Sequence, residues 1–486
     1  MSAWYFFANL KSIGMNRLWF PFLVFFCLLI SCNSPSSKKG TLTHEMKMEK
    51  SSRSEKNGWI SIHLEGAPEV IGYQHGYLLA EEIIDLREAM AILNEKTTGR
   101  NWKFYRDESE RMFWPNVPEE YRLEIDGIVS GVNAKLGVAK IDRKDVIAMN
   151  SILEMSWYYV PWLNSKDKPN PPDPTPPGHC SAMVATGTWT KDGKIVMAHN
   201  NWVEYVIGER WNIILDIVPE KGNRIVMDAL PGFIHSGDDF YINSAGILVT
   251  ETTITRFKGF DTTGVAEFVR ARKAIQYSSS IDEWVASMKE KNNGGYANDW
   301  LIGDNKTGEI ARLELGLKNQ FLEKTKDGYF VGANFPVNKK LIKEETKYDS
   351  SVLSTSPNAR KLRWEEILKE NKGKIDVNAA MKFMGDHYDT WRKKDLAGAL
   401  TLCGHIDTDE VGAPDMGWPA FTAAGAVQGK ATDGNLAKEM KLWAIMGHPC
   451  GEPFISSKFL SAHPEFSYQK EYLHDMPGEI WTLFGN

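Results

Sequence analysis

The apolar positions of this chain follow three successive patterns. Residues 18–30 form an uncharged run, LWFPFLVFFCLLI. Between residues 71 and 159 apolar residues recur at helical spacing. Leu78, Leu79, Ile83, Ile84 and Leu86 mark one amphipathic face, and further helices are predicted over 118–136 and 145–159. A strand over 59–63 precedes them. Past residue 180 the spacing turns strand-like. Residues 180–189 (CSAMVATGTW) and 194–200 (KIVMAHN) read as two strands joined by Lys191-Asp192-Gly193, Asp-Gly being a strong hairpin signal. Strands are also predicted over 211–218, 224–228, 239–242, 246–254 and 300–315. Helices are predicted over 264–277, 280–289, 357–370 and 377–384. Strands and helices in separate blocks predict an α+β class with sheets layered between helices.

Between the helical and strand-like parts lies NSKDKPNPPDPTPPG, residues 164–178, with six prolines. Such a stretch neither pairs in a sheet nor continues a helix, so it is expected to be an exposed loop.

The chain has 486 residues, room for one large domain or two ordinary ones. Its net charge of -6 and the absence of a long basic block argue against nucleic acid as a partner. The run 18–30 is short for a bilayer span and right for a signal-peptide core, with Lys11 and Arg17 before it and Met15 a possible second start. It ends in Leu29-Ile30-Ser31-Cys32, which resembles a bacterial lipobox. That resemblance implies a signal peptide over 1–31 and an acylated Cys32. The expected location is the cell envelope, with a lipid anchor in the membrane and the protein facing periplasm or exterior. Residues 32–57 then read as a polar Ser/Lys tether.

With Cys27 in the leader and Cys32 carrying lipid, Cys180, Cys403 and Cys450 remain of the five cysteines. An exported chain permits disulfides. Cys403 and Cys450, both among Gly and Pro, are the expected pair, leaving Cys180 as the odd thiol. There is no CxxC pair and no HExxH, so neither a metal nor another cofactor is expected.

A cysteine opening a strand behind a flexible loop suits one chemistry. If its thiol attacks the carbonyl of His179, the peptide shifts to a thioester that water can release. Cys180 then holds a free α-amine beside its thiol. That amine has a reference pKa of roughly 7.7–8.0 and can accept the thiol proton without a histidine. Taken alone, a cysteine opening a strand is more commonly a small buried hydrophobe.

Downstream motifs add to this. Cys180-Ser181-Ala182, Ala198-His199-Asn200-Asn201-Trp202 and Ser236-Gly237-Asp238-Asp239-Phe240-Tyr241-Ile242 occur in order. The run 246–254, ending Thr250-Glu251-Thr252-Thr253-Ile254, follows, and then Asn292-Asn293-Gly294-Gly295-Tyr296-Ala297-Asn298-Asp299-Trp300. Together they resemble the phospholipase B-like family of N-terminal nucleophile hydrolases. His75-Gly76 and residues 356–360 are also similar to the related cysteine acyltransferases that cleave penicillin-type amides.

The resemblance implies a four-layer αββα sandwich cut between His179 and Cys180. A fragment 58–179 and a catalytic fragment 180–486 would stay associated as one intertwined domain. It implies Cys180 as nucleophile, His199 facing the site and Asn298 donating to the oxyanion. Thr250 and Glu251 would position the amine, and Arg360 would lie near the thiol and lower its pKa. Asp238 and Asp239 are expected to be structural. Two positions depart from the family pattern: Ala297 stands in place of an asparagine and Asp299 in place of a glutamine. The expected activity is cleavage of acyl esters or amides of lipid-like or N-acyl small molecules through a thioester. An acyltransferase, a short-peptide or amide hydrolase, and a catalytically silent lipid-binding lipoprotein remain open alternatives.

Overall fold

The computed structural model describes residues 42–166 and 180–485. The leader, Cys32, His179 and nearly all of the proline-rich loop lie outside the described residues.

Seventeen strands are found among them. β1 (Ser52–Lys56) and β2 (Trp59–Gly66) precede the helical block. β3 (Ser181–Thr186), β4 (Val196–Glu204), β5 (Ile213–Pro219), β6 (Ile225–Ala229), β7 (Tyr241–Asn243) and β8 (Ile247–Thr253) follow it. Next come β9 (Asn298–Asp304), β10 (Glu309–Leu315), β11 (Gln320–Thr325) and β12 (Gly328–Gly332). A two-residue pair, β13 (Tyr388–Asp389) and β14 (Lys394–Asp395), precedes β15 (Ala424–Asp433), β16 (Leu442–Met446) and β17 (Thr482–Phe484).

A nine-stranded sheet runs β1-β2-β5-β6-β7-β8-β9-β10-β11, and a six-stranded sheet runs β12-β3-β4-β15-β16-β17. β2 pairs with β5 in parallel, and the other neighbours in both sheets are antiparallel. Side chains alternate across a strand, and this sorts the core into layers. Ala182, Val184, Met197, Ile214, Val226, Leu248, Leu301 and Ile310 form an apolar seam to which both sheets contribute. On the other face of the large sheet, Leu215, Met227, Val249 and Ile302 join Ile71, Ile83, Ile125 and Phe268 of helices. On the other face of the small sheet, Met183, Ala185 and Ala198 join Trp364, Ile367, Ala380 and Phe383 of the helices Ser356–Glu370 and Val377–Met384. The order is helix, sheet, sheet, helix: the four-layer αββα sandwich.

The helices Pro68–Leu78 and Glu119–Leu136 pack backbone to backbone. A Cβ on Gly72 would lie 1.9 Å from the Glu124 carbonyl oxygen, and one on Gly76 would lie 2.1 Å from that of Ile128. Such an approach is open only to glycine.

Three expectations change. Residues 44–56, read as tether, are folded: the helix His44–Met48 carries His44, whose ring nitrogen meets the Tyr73 hydroxyl at 3.0 Å, and β1 pairs with β2. Edge strands carry charge to discourage further pairing, which is why Ser52–Lys56 reads as solvated linker. The single strand over 300–315 is the hairpin β9–β10, closed where Gly308 adopts φ +70°. The helix over 145–159 is interrupted at Ser151 and continues as a π-helical turn, Met155–Tyr159.

Candidate active site

Cys180 is the first described residue after 166 and leads directly into β3. It is fully buried, and its Sγ lies 3.7 Å from Glu251 Oε1 on β8. Glu251 Oε1 also accepts a hydrogen bond from the Tyr296 hydroxyl at 3.1 Å. The ligating atoms of Cys180, His199 and Glu251 lie within 4.8 Å of one another. The spacing would admit a cation, against which the nearby Lys430 ammonium acts.

His199 pairs with Ala182 in the β3–β4 register, and its Nδ1 lies 3.8 Å from Asp238 Oδ2. Burial, with Lys430 acting the same way, pushes the imidazole down to about 3, so it is neutral in the folded protein. Burial raises the Cys180 thiol well above its ordinary value, and Glu251 and Asp238 push in the same direction. A hydrogen bond from the Trp202 backbone N–H and the charge on Lys430 oppose them. Burial also raises Glu251, with Asp239 adding to the effect.

Arg360 is brought to the nucleophile by the helix Ser356–Glu370. Its guanidinium donates to the Cys180 carbonyl at 2.6 Å, to Ser181 Oγ at 3.1 Å and to Asn334 Oδ1 at 2.8 Å. It is packed over the Trp202 ring at 4.2 Å. Arg360 fixes the main chain of the nucleophile, and it also interacts by charge with Cys180, as Lys430 does.

Asn298 opens β9 fully buried, and neither its amide nitrogen nor its oxygen has a hydrogen-bond partner among the described residues. A buried amide without partners is expensive, and a ligand oxygen is one way to satisfy it. Its loop is braced by the helical block. Tyr158, in the π-helical turn, accepts from the Ala297 N–H at 3.1 Å, and Glu154 accepts from Asn293 Nδ2 at 2.5 Å. Thr250 and Glu251 are neighbours on one strand and so point to opposite faces. Glu251 makes the contact with the thiol, while Thr250 is buried with its hydroxyl unpartnered among the described residues.

Asp238 and Asp239 hold structure, as expected. Ser236 Oγ donates to Asp238 at 2.9 Å and Tyr241 donates to Asp239 at 2.5 Å. Sequence reading missed Lys430, whose buried ammonium bonds Asp228 at 3.0 Å and Asp238. The available signal was a lysine inside AGAVQGKATD, an otherwise small and apolar strand. Of the two departures, Asp299 is matched by Arg312, which donates to it at 3.0 Å. Cys403 and Cys450 are free thiols, so the expected disulfide is absent.

An apolar cavity of about 250 Å³ lies against the end of β4, walled by Val203, Leu93, Leu153, Trp211, Leu230 and Trp418. No helix among the described residues is long and apolar enough to cross a membrane.

Residues 78–316 match the Phospholipase B family. That segment contains Cys180, His199, Thr250, Glu251 and Asn298, and leaves Arg360 and Lys430 outside. Phospholipase B-like 1 of Homo sapiens is 24% identical over 431 residues, 78% of this chain and 74% of that one. Phospholipase-B 81 of Drysdalia coronoides is 26% identical over 315 residues, 57% of this chain, and the chain spans about half (54%) of its length. Putative phospholipase B-like 2 of Homo sapiens is 34% identical over 147 residues, 26% of this chain and 24% of that one. Among solved structures, a conjugated bile acid hydrolase from Clostridium perfringens has 10% identity and a TM-score of 0.33. That comparison covers 55% of this chain and 89% of the hydrolase.

Proposed function

We propose, from the match of residues 78–316 to the Phospholipase B family, that this chain is a member of that family and a self-processing acyl hydrolase with Cys180 as nucleophile. The observation that carries this reading is the convergence on one buried cysteine, directly before β3, of Glu251, His199 and the Arg360 clamp on its carbonyl.

In the activating step the thiol adds to the His179 carbonyl, the C–N bond breaks, and the Cys180 nitrogen takes the proton. Water then splits the thioester, leaving a carboxylate on His179 and a free α-amine on Cys180. In turnover that amine accepts the thiol proton and the thiolate attacks the substrate carbonyl. The Asn298 amide and backbone N–H groups hold the oxyanion, and the leaving group departs with the proton. Water resolves the acyl-enzyme. The high thiol pKa of the buried cysteine fits a precursor that turns over no substrate until the cut adds a free amine beside the sulfur.

A mainly apolar cavity at the end of β4, the strand that carries His199, supports lipid-like or N-acyl substrates. We also read the protein as a lipoprotein anchored through Cys32, to be checked by mass analysis of its native N-terminus. Both strands preceding the cut, β1 and β2, lie in the same sheet as β5 to β11, which supports fragments that remain together.

The test is intact mass under denaturing conditions, with turnover of an acyl ester and an acyl amide. Two fragments divided between His179 and Cys180, with turnover abolished in Cys180→Ala, are expected. An uncut chain that still turns over would sink the nucleophile assignment. A cut chain inert on esters and amides would favour the lipid-binding lipoprotein. Acyl transfer to hydroxylamine in preference to water would mark an acyltransferase.

A further inference from the structure

On the small-sheet side of the molecule, four side chains from three separate loops turn inward to one point. His387 lies before β13, Cys403 and His405 lie in the loop before β15, and Cys450 follows β16. Their ligating atoms all lie within 4.8 Å of one another. His387 Nε2 and His405 Nε2 are 3.2 Å apart, and Cys450 Sγ is 3.6 Å from the same His405 nitrogen.

We propose that His387, Cys403, His405 and Cys450 form a structural metal site that takes one zinc ion in tetrahedral coordination. The edges of the cluster fit the ion. With zinc–nitrogen bonds of about 2.0–2.1 Å and zinc–sulfur bonds of about 2.3 Å, a tetrahedron separates two nitrogens by about 3.3 Å and a nitrogen from a sulfur by about 3.5 Å. Two thiolates and two imidazoles are the donor set that selects zinc over hard cations such as magnesium or calcium.

The surroundings fit thiolate ligands as well. Cys450 Sγ accepts from the Glu452 N–H at 3.5 Å, and Cys403 receives a hydrogen bond from the Cys450 backbone. Backbone N–H groups aimed at both sulfurs are the kind of outer donors that orient thiolate ligands. A disulfide would use the two sulfurs and leave the convergence of two imidazole nitrogens without a partner.

Four protein ligands leave no open position, so the role is to hold structure. Gly404, between two of the ligands, lies flat on the Trp202 ring: a Cβ there would meet the indole at 2.2 Å. The Trp202 backbone in turn donates to the Cys180 sulfur. The ion thus ties three loops, 63 residues apart at their extremes, to the segment behind the nucleophile. No short spacing motif announces the site, because only the Cys403-Gly404-His405 pair is local in sequence.

The experiment uses full-length protein extracted from the native envelope with thiols blocked at lysis, and recombinant protein prepared reduced in zinc-supplemented medium. Elemental analysis is expected to find about one zinc per chain, and cobalt-exchanged protein to show the intense visible and sulfur-to-cobalt charge-transfer bands of a tetrahedral thiolate site. Cys180→Ser is expected to retain the metal. Cys450→Ser or His405→Asn is expected to weaken binding by about 100-fold or more, since even outer-shell changes cost 10–100-fold. Should those variants fail to fold, alkylation of wild type decides: Cys403 and Cys450 should react only after a chelator is added. Zinc-free reduced protein, metal that is lost with Cys180, or a Cys403–Cys450 disulfide in the native preparation would each overturn the proposal.

Discussion

Asn298 and Glu251 show how a residue's chemistry depends on burial. A partnerless amide costs about 1–3 kcal/mol when desolvated, and Asn298 carries two unpartnered atoms among the described residues. If an oxyanion satisfies the nitrogen, Asn298→Ala should lower kcat by about 10²–10³-fold with little change in KM. Steady-state kinetics on a cut preparation checks this, and a rise in KM alone would assign Asn298 to binding. Glu251 is buried and shared by Cys180 and Tyr296. Glu251→Gln keeps a hydrogen-bond acceptor for both, so processing and folding should persist in that variant. The pH–kcat profile should change, because the group's own proton equilibrium is gone. An unchanged profile would reduce Glu251 to packing. Such roles are hard to read from sequence, where Thr250 and Glu251 look equivalent. Only strand alternation separates the one that reaches the sulfur.

At the scale of elements, the closest packing in the large-sheet helical layer is the contact of Pro68–Leu78 with Glu119–Leu136. A methyl group on Gly72 would meet backbone at 1.9 Å, and no side-chain rotation can relieve that. Gly72→Ala should therefore destabilise the protein by about 1–3 kcal/mol or more, as overpacking does. A lowered melting temperature would report it, and an unchanged one would mean that the helices separate freely. The pairing of β2 with β5 predicts a second outcome. The fragments of a cut chain should co-elute in size exclusion and part only in denaturant, because β2 gives backbone hydrogen bonds to a sheet made mostly by the other fragment. Periodicity placed Glu119–Leu136 and most strands of the large sheet. It missed β15, whose small residues AGAVQGKATD carry no β-branched signature beyond Val427 and Thr432. It also missed β1, a charged edge.

For the whole molecule, buried titratable groups set the response to pH. His75, His199 and His235 are each pushed down to about 3 by burial. Their unfolded forms gain a proton below about 6.5, so their contribution is complete above that value and is lost as pH falls toward 3. Burial raises Glu154 to about 7, Asp239 to about 8 and Asp299 to about 7. These hold protons that the unfolded chain releases above about 4, so their contribution is complete below that and is lost as pH rises to 7–8. The two groups oppose each other between about 4 and 6.5. Stability should be broad there, fall on acidification below 4 and fall again from 6.5 to 8. Melting temperatures across pH 3 to 8 test this, and a maximum at pH 8 would contradict it.

The sequence by itself determined the layer architecture, the change from helical to strand period at residue 180, and the nucleophile candidate. Those depend on local periodicity and on motifs contiguous in the chain, so the information sits where it is read. The tertiary structure decided what each polar group faces. It bonded Arg360 to the Cys180 carbonyl and placed Lys430 beside Asp238, 192 residues away. It also separated Cys403 and Cys450 as free thiols and gathered them with two histidines. Contacts of that kind arise only when distant strands are brought into register, and a buried charge acquires its meaning from the partner that register supplies.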